Sequence, residues 1–396
     1  MTRTVRYTYK LRVSRVKEEL LTREFDMCRW VWNECVGLWK RGEGSKGLSV
    51  KLTEARARNT WLRNGSVVCQ QQVIRDYQKS LNDSFRVKGR GRPQSKKKRN
   101  SRPSLNYTKR GFSLLTEKDH EGIDRLRLRL SKIGTIPVVW SRDLPSTPSS
   151  VRVHQDSCGE WFASFVVESP EREPLPETGV DIGIDWGVKD VAITTVDDLD
   201  LGYTPRQKNV QKERAKYQRR MAKLRGKKDE KSRHLYERNR KKAARCQRKA
   251  ARQRQDAAFK WAHKVARHAD RVAVEDFKPK FLAKSTMAKK ASDSAIGSVK
   301  RTLLYVLGQY GREVTLVNPR FTTQDCSECD ARTKHTLELS DRMFHCSECD
   351  YKAPRDKNSA RVIRKRAGFN PSDVDGVIRE NASVSTALPE SGIPRL

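Results

Sequence analysis

Apolar residues along the first part of the chain follow two different periods. In the first segment they fall at every second position, which predicts a β-strand whose buried face holds Val5, Tyr7, Tyr9, Leu11 and Val13. From about residue 17 the steps become three and four residues, which predicts a helix with a buried stripe of Phe25, Cys28, Trp32, Cys35 and Trp39. A second helical stripe, between Ser66 and Phe85, contains Ile74, Tyr77, Leu81 and Phe85.

Alternation returns after residue 105 and continues to about residue 168. It is clear at Leu126, Leu128 and Leu130, and again where Val151 and Val153 are expected to pair with Phe165 and Val167. We therefore predict a small antiparallel β-barrel from residues 1–16 and 105–170, with a helical domain and basic linker inserted at 17–104. A linker is expected where prolines stand among glutamates, at Pro170, Pro174 and Pro176.

The chain beyond this linker predicts an α/β unit. Buried strands are expected at Val180–Asp185, Val188–Val196, Val272–Glu275 and Val314–Val317, the second as the hairpin partner of the first. Helices are expected between Arg206 and Ala269, with a break at Gly226, and at Ser294–Tyr310. Residues 370–396 mix Ser, Pro, Gly and acids, which predicts a disordered tail.

The net charge of the chain indicates what kind of partner it binds. The 396 residues contain 84 Lys+Arg against 48 Asp+Glu, a net charge of +36 that predicts a polyanion and disfavours a small-molecule enzyme. The cations are concentrated, with 11 and no acid in Arg86–Arg110 and 22 against four acids in Arg206–Arg254. Because there is neither an apolar run of about 18 residues nor a signal-peptide core, we expect a cytoplasmic protein that binds nucleic acid and no membrane.

Four of the nine cysteines have the spacing of metal ligands. Two C-S-E-C knuckles with sixteen residues between them match a zinc ribbon, which we expect at 322–352 with ligands Cys326, Cys329, Cys346 and Cys349. His345 is next to the ligand Cys346, but four cysteine thiolates already complete the coordination of a zinc ion, so we do not expect His345 to be a ligand. A ribbon of this size has no core of its own, so one structural Zn²⁺ is predicted.

Three carboxylates stand where a buried acid is costly unless it binds a metal or a cation. Asp185 and Glu275 end apolar strands, and Asp356 begins a helical run. Taken alone, Asp356 is better explained as a helix N-cap than as a metal ligand, and Asp181 and Asp276 are competing choices. Together, the three contexts in a basic chain predict a site for two catalytic Mg²⁺ ions, since two-metal phosphodiester hydrolysis requires converging carboxylates.

The order of these motifs resembles the split RuvC-like nuclease of transposon-encoded TnpB proteins and of the compact type V CRISPR effectors that descend from them. The residues that carry the resemblance are G-I-D-W-G-V (183–188), V-E-D-F (274–277), N-P-x-x-T-T-x-x-C-S-x-C (318–329), C-S-E-C (346–349) and D-x-N-S-A (356–360). The segments C-R-W-V-W-N (28–33) and Q-Q-V-I-R-D (71–76) are similar to the recognition domain of that family, so the resemblance covers about residues 5–366.

The resemblance implies an α/β plus β-barrel architecture. An RNase H-like RuvC domain would span 178–321 and 353–369, with a basic helical hairpin at 206–270, and the zinc ribbon would split it. Before it would stand an oligonucleotide-binding-like wedge barrel with a helical recognition insert. Family residues differ at Trp186, usually a smaller aliphatic, at Asp330 and Asp350, usually glycine, and at Ser359, usually alanine. None of these removes a carboxylate or thiolate.

The resemblance also implies an RNA-guided DNA endonuclease in which Asp185, Glu275 and Asp356 bind Mg²⁺. The positive charge would hold a guide RNA and double-stranded target DNA through phosphates, in a bacterial or archaeal cytoplasm and at the nucleoid when DNA is bound. A short motif beside the target would be read by the helical insert, where amides can contact adenine edges. Candidate nucleic-acid-binding residues are Gln71, Gln72, Arg90, Arg92, Lys96, Lys97 and Lys98. Glutamines on a helix are more often ordinary surface residues, and Arg86–Arg110 is equally compatible with a disordered arm that orders on nucleic acid.

Three alternatives stay open. The chain is compatible with an RNA-guided DNA-binding repressor that has lost cleavage, although the intact carboxylates argue against it. It is also compatible with a zinc-ribbon nucleic-acid-binding protein without a guide, and, less well, with a guide-free RuvC resolvase. The sequence does not separate a transposon protein from a CRISPR descendant.

Overall fold

The computed structural model describes residues 2–98, 101–118, 124–187, 190–202, 205–227, 229–276, 295–333 and 341–369. These residues form two compact units, divided between Glu171 and Arg172, within the predicted proline-rich linker. The predicted tail at 370–396 lies outside the described residues. No helix in the described part is long and apolar enough to cross a membrane.

The first unit is built on a seven-stranded antiparallel sheet with the order β2-β6-β7-β1-β5-β4-β3. The strands are β1 (Thr2–Leu11), β2 (Ser104–Thr108), β3 (Phe112–Lys118), β4 (Asp124–Leu130), β5 (Gly134–Val139), β6 (Ser150–Gln155) and β7 (Trp161–Pro170). The N-terminal strand lies in the middle and pairs with β7 along most of its length, from Thr2–Pro170 to Lys10–Phe162. Val151 and Val153 pair with Phe165 and Ala163 of β7, in the hairpin that the alternation predicts.

The sheet is curled. Its two edge strands, β2 and β3, are consecutive in sequence and are joined by a single 3₁₀ turn at Lys109–Gly111. The rings of Phe112 in β3 and Phe165 in β7 lie 6.4 Å apart, although four strand spacings in a flat sheet would separate them by about 19 Å. Among the described residues β2 and β3 do not pair, so the predicted barrel is instead a curled antiparallel half-barrel.

Between β1 and β2 the chain forms the predicted helices. They are α1 (Arg15–Lys40), α2 (Leu48–Arg58), the short α3 (Thr60–Arg63) and α4 (Val67–Arg86). The predicted stripes are buried except at their ends, where Trp39 is half-buried and Phe85 is 59% exposed. Buried Glu24 of α1 accepts the backbone N–H of Ser66 at 3.0 and 3.1 Å, which joins α1 to the start of α4.

The second unit contains a four-stranded sheet with the order β11-β10-β8-β9. Its strands are β8 (Asp181–Trp186), β9 (Ala192–Thr194), β10 (Arg271–Glu275) and β11 (Glu313–Val317), and a separate hairpin holds β12 (Met343–His345) and β13 (Lys352–Pro354). β8, β10 and β11 run parallel, and β9 is antiparallel to β8. β9 is shorter than the predicted strand at 188–196, of which residues 188 and 189 lie outside the described part.

The helices of the second unit are α5 (Pro205–Leu224), α6 (Glu230–His268), α7 (Ile296–Gln309) and α8 (Arg355–Arg366). α6 and α7 cover one face of the sheet and α8 the other, whereas α5 packs on α6. On one face Ile182, Ile184 and Trp186 share a core with α6 and α7. The alternate residues of β8 and β10 lie on the other face, where Ala273 packs with Ile363 of α8. Asp185 and Glu275 therefore lie on the face that α8 covers.

The close approach of α8 to β8 depends on Gly183. A Cβ at this position would lie 2.0 Å from the backbone oxygen of Ala360 and 2.8 Å from the backbone nitrogen of Arg364. No side chain can move aside to relieve these contacts, because the two atoms belong to the helix backbone. Glycine at 183 is therefore a packing requirement of the sheet–helix contact.

We predict that Gly183→Ala destabilises the second unit by at least about 2 kcal/mol, because α8 must shift to admit the methyl group. Urea unfolding of the intact chain, followed by tryptophan fluorescence, measures the change. Gly308→Ala in α7 is the matched control, since a Cβ there meets nothing within 4 Å. The control should be neutral or stabilising by up to about 1 kcal/mol. Equal stability of the two variants would contradict the packing argument.

Candidate metal centres

Asp185 and Glu275 are neighbours on the α8 face of the sheet. β8 and β10 are parallel, with Ile184 opposite Val274, so the next residue of each strand lies at the same level. Both side chains are buried, with 8% and 6% of their residue surface exposed. Two acids are thus placed side by side at the carboxyl ends of adjacent parallel strands.

Asp356 brings a third carboxylate to the same place. It lies in the first turn of α8, one helical turn before Ala360, whose backbone touches Gly183 of β8. The pKa of Asp185 is raised well above its usual range, chiefly by burial and then by the negative charges of Glu275 and Asp356. The three carboxylates that the sequence singles out are therefore within electrostatic reach of one another.

This arrangement fits hard divalent cations. The donors are carboxylate oxygens, which Mg²⁺ prefers, and a cation would offset the repulsion between buried acids. Among the described residues, no choice of one oxygen from each of these three carboxylates places all three oxygens within 4.8 Å of one another, as the ligands of one ion would be. A wider spread is compatible with a pair of ions about 3.5–4 Å apart.

Two further side chains position Glu275. Thr322 donates its hydroxyl to Oε1 of Glu275 at 2.6 Å, and Lys300 Nζ donates to the backbone oxygen of Glu275 at 2.6 Å. Burial raises the pKa of Glu275, while the Thr322 hydrogen bond and the Lys300 charge oppose that rise. The sequence analysis missed both residues. Thr322 lies inside the N-P-x-x-T-T segment, whereas nothing in the sequence marks Lys300.

The competing acids are engaged elsewhere. Asp181 accepts from Nε of Arg271 at 2.8 Å, at the opposite end of β8 from Asp185. The side chain of Asp276 is half exposed, 3.5 Å from Lys300. Trp186 is one of the residues that differ from the family that the chain resembles. It points to the other face of the sheet, where it packs edge-on against Trp261 with ring centroids 6.1 Å apart. It contributes to the core and leaves the acid face free.

The four predicted zinc ligands converge. All four sulfur atoms lie within 4.8 Å of one another, with Sγ–Sγ distances of 3.7 Å for Cys326–Cys349 and 3.5 Å for Cys329–Cys346. A tetrahedral site with Zn–S bonds of 2.3 Å requires sulfur separations of about 3.8 Å. The cluster is therefore consistent with a structural zinc. His345 is not part of it and instead contacts Asp350 at 2.7 Å.

The two knuckles are held by the same hydrogen bonds. Cys326 N–H donates to Ala331 O, and Cys346 N–H donates to Tyr351 O, each at 2.9 Å. Asp330 and Asp350 close the turns with φ of 61° and 60°, a left-handed conformation that glycine adopts most easily. This conformation explains why glycine is usual there. Aspartate is among the few other residues that tolerate it.

The candidate nucleic-acid-binding residues lie in the first unit, and several contact its own side chains. Arg90 pairs with Asp83 at 2.6 Å, Arg92 lies 5.7 Å from the ring centre of Phe85, and Lys98 lies 3.5 Å from Asp26. Lys97 is exposed, and Gln71 is half-buried on α4. Gln72 and Lys96 line one cavity of about 220 Å³, and Lys96 Nζ sits 3.4 Å above the Trp32 ring.

The basic segment after α4 is tied to α1 by residues that the sequence analysis did not assign. Trp32 donates its indole N–H to Gln94 O at 2.9 Å. The Asn33 side chain accepts from Lys96 N at 2.7 Å and donates to Lys96 O at 3.1 Å. The W-V-W-N segment thus both fills the helical core and fixes the path of the basic segment.

In the second unit, α5 and α6 form the basic hairpin. A narrow apolar seam of Val210, Cys246 and Ala250, with Tyr217 beside it, joins the two helices. The lysines and arginines whose side chains are described between residues 209 and 254 are all exposed or half-buried. The hairpin therefore presents an extended cationic surface.

Two family models match the chain. The one described as "Cas12f1-like, TNB domain" matches residues 297–363, and the one described as "Probable transposase" (OrfB_IS605) matches residues 164–286. These segments include β8, β10, the cysteine cluster and most of α8.

Similar proteins were found along the whole length of the chain. One relative from Streptomyces pristinaespiralis, named "Putative RNA-guided DNA endonuclease", is 26% identical over 100% of both chains. Another from Escherichia coli K12, "Putative RNA-guided DNA endonuclease InsQ", is 26% identical over 92% of both. A solved Cas12f1–sgRNA–target DNA complex shares the fold, with a TM-score of 0.55 and 16% identity over 91% of this chain and 83% of that one.

We predict that the purified chain contains one zinc ion and that Cys326→Ser loses it, because three thiolates hold the ion less tightly than four. Elemental analysis after dialysis against a weak chelator measures the metal content. Cys246→Ser, which changes a buried cysteine of the α5–α6 seam, is the control and should retain the zinc. A wild-type chain without zinc would contradict the assignment.

Proposed function

The chain belongs to the TnpB (OrfB) transposase family, with a zinc-ribbon domain related to that of Cas12f, and from this premise we propose a mechanism for it. We propose that it is an RNA-guided DNA endonuclease that cleaves at the carboxylates of β8, β10 and α8. The observation that carries the proposal is the meeting of Asp185, Glu275 and Asp356 on one face of the parallel sheet.

The proposed nuclease domain is RNase H-like and of the RuvC type. It comprises residues 178–321 and 353–369, and the ribbon at 322–352 separates its last helix from the sheet. Supporting this division, β11 is the last described strand before the ribbon, β12 and β13 pair only with each other among the described strands, and α8 follows them. The third carboxylate thus returns to the sheet only after the chain has passed through the cysteine cluster.

In the proposed reaction the chain's own residues bind and orient the reacting groups. Asp185, Glu275 and Asp356 would hold two Mg²⁺ ions, which when bound would supply charge stabilisation for the attacking and leaving oxygens of phosphodiester hydrolysis. Thr322 fixes Oε1 of Glu275, and Lys300 fixes the end of β10 through the backbone oxygen. Both contacts hold the carboxylate in one orientation before the ions bind.

Each unit contributes a proposed nucleic-acid surface of its own, the cationic hairpin in the second unit and the basic segment in the first. Guide RNA and double-stranded target DNA would be held through phosphates, while pairing between the guide and the target reads the sequence. We propose that residues 1–16 and 105–170 form the wedge domain and that the helical insert at 17–104 reads a short motif beside the target. Gln71 and Gln72 on α4 are the candidate readers, with Lys96 beside Gln72.

We predict that Asp185→Ala lowers the DNA cleavage rate by at least about a hundredfold, the order of effect of losing one group that stabilises the transition state. The protein is expressed with its own flanking DNA, and cleavage is measured on a plasmid library containing the matching target. Asp276→Ala is the control, because that acid lies one residue from Glu275 but is half exposed and outside the cluster. It should cleave at the wild-type rate.

The same preparation separates the alternatives. A discrete RNA should co-purify with the wild type and with Asp185→Ala, and both should bind the target DNA. Absence of a discrete RNA would contradict guidance and favour a zinc-ribbon binding protein. Equal cleavage by wild type and Asp185→Ala, or cleavage by neither, would contradict the nuclease site, and binding without cleavage would favour a repressor.

A further inference from the structure

Helix α8 has two functional faces, and only one of them carries Asp356. At about 100° per residue, Asp356, Ala360 and Ile363 fall on the face that meets the sheet. Asn358, Arg361 and Lys365 fall within roughly 60° of one another on the opposite face. The described hydrogen bonds and ion pairs of these three side chains are with the segment that contains the cysteine cluster.

Asn358 contacts the backbone on both sides of a zinc-ligand candidate. Its Oδ1 accepts from Ser327 N at 3.0 Å, and its Nδ2 donates to Asp325 O at 2.8 Å. These two residues flank Cys326. Asn358 is fully buried, at 0% exposure, so neither of its hydrogen bonds can be replaced by water without a rearrangement.

Two further contacts extend the same connection along the helix. Lys365, seven residues after Asn358, pairs with Asp330 at 2.7 Å and lies 3.4 Å from Glu328 O, both in the first knuckle. Arg361, between them, hydrogen-bonds the hydroxyl of Tyr351 after the second knuckle. One face of α8 is therefore docked on both knuckles.

We infer that Asn358 is a positioning residue through which the geometry of the carboxylate site depends on the geometry of the cysteine cluster. The thiolates fix the backbone around Cys326, Asn358 ties α8 to that backbone, and Asp356 is two residues away on the opposite face of the helix. In this way the zinc ribbon sets the position of Asp356 relative to Asp185 and Glu275. The inference rests on the proposed function in its assignment of Asp356 as a Mg²⁺ ligand.

The neighbouring residue provides a matched control. Ser359 is also fully buried, but its hydroxyl donates only within the helix, to Arg355 O at 3.1 Å. Ser359→Ala removes one hydrogen bond from the same turn of α8 without touching the ribbon backbone. Asn358→Ala removes the two bonds that connect α8 to the first knuckle.

We predict that Asn358→Ala retains its zinc but requires at least about tenfold more Mg²⁺ for half-maximal cleavage, the order of effect of losing a group that orients a metal ligand. The cleavage rate at saturating Mg²⁺ should recover most of its wild-type value. Backbone amides of α8 should exchange with deuterium faster in the intact Asn358→Ala protein without nucleic acid. Ser359→Ala should match the wild type in its zinc content, its Mg²⁺ requirement, its cleavage rate at saturating Mg²⁺ and its exchange rates.

Lys365→Ala is a second variant that tests the same connection without removing a buried side chain. It changes a half-exposed side chain on the same face of α8. It should shift the Mg²⁺ requirement and the exchange rates in the same direction as Asn358→Ala, by a smaller factor. If Asn358→Ala stays within twofold of Ser359→Ala in both measurements, the inference is overturned. A wild type that does not cleave DNA contradicts the proposed function instead, and the exchange rates then still decide whether Asn358 couples α8 to the ribbon.

Discussion

The backbone of α8 rests directly on β8 at Gly183, and the arrangement of the second unit follows from that contact. The helix can approach so closely only because residue 183 has no side chain. Asp185 lies two residues after Gly183 in β8, and Asp356 lies one helical turn before Ala360, the residue of α8 that approaches Gly183. Parallel pairing of β8 with β10 then adds Glu275 at the same level. A packing constraint between backbones thus determines where three negative charges meet.

This arrangement connects stability to chemistry. Buried carboxylates that repel one another are unfavourable by themselves. Thr322 and Lys300 hold Glu275 in place by hydrogen bonds, but these contacts do not fully neutralise the carboxylates. The opposite face of α8 is fixed by a cluster of four thiolates through Asn358. A structural zinc at the cysteine cluster and the proposed catalytic metals would therefore act on two faces of a single helix.

Features that depend on local spacing could be predicted from the sequence. The two knuckles were predicted because each pair of ligands is three residues apart, and the strands of Asp185 and Glu275 because their apolar residues are contiguous. The curl of the first sheet could not be predicted, since it depends on how β2 and β3 approach each other through a three-residue turn. The short β9 was overestimated because its apolar run continues beyond the paired residues. The roles of Thr322 and Asn358 could not be predicted either, because their partners lie 47 and 31–33 residues away in sequence.

Everything proposed for the second unit requires that Asp185, Glu275 and Asp356 together bind divalent cations. Anomalous scattering from Mn²⁺ in crystals of the intact chain tests this directly. We expect density on the α8 side of the sheet, in contact with Asp185, Glu275 and Asp356, and its loss in Asp185→Ala. Mn²⁺ bound only at other acids, or bound equally well by Asp185→Ala, would contradict the proposed site.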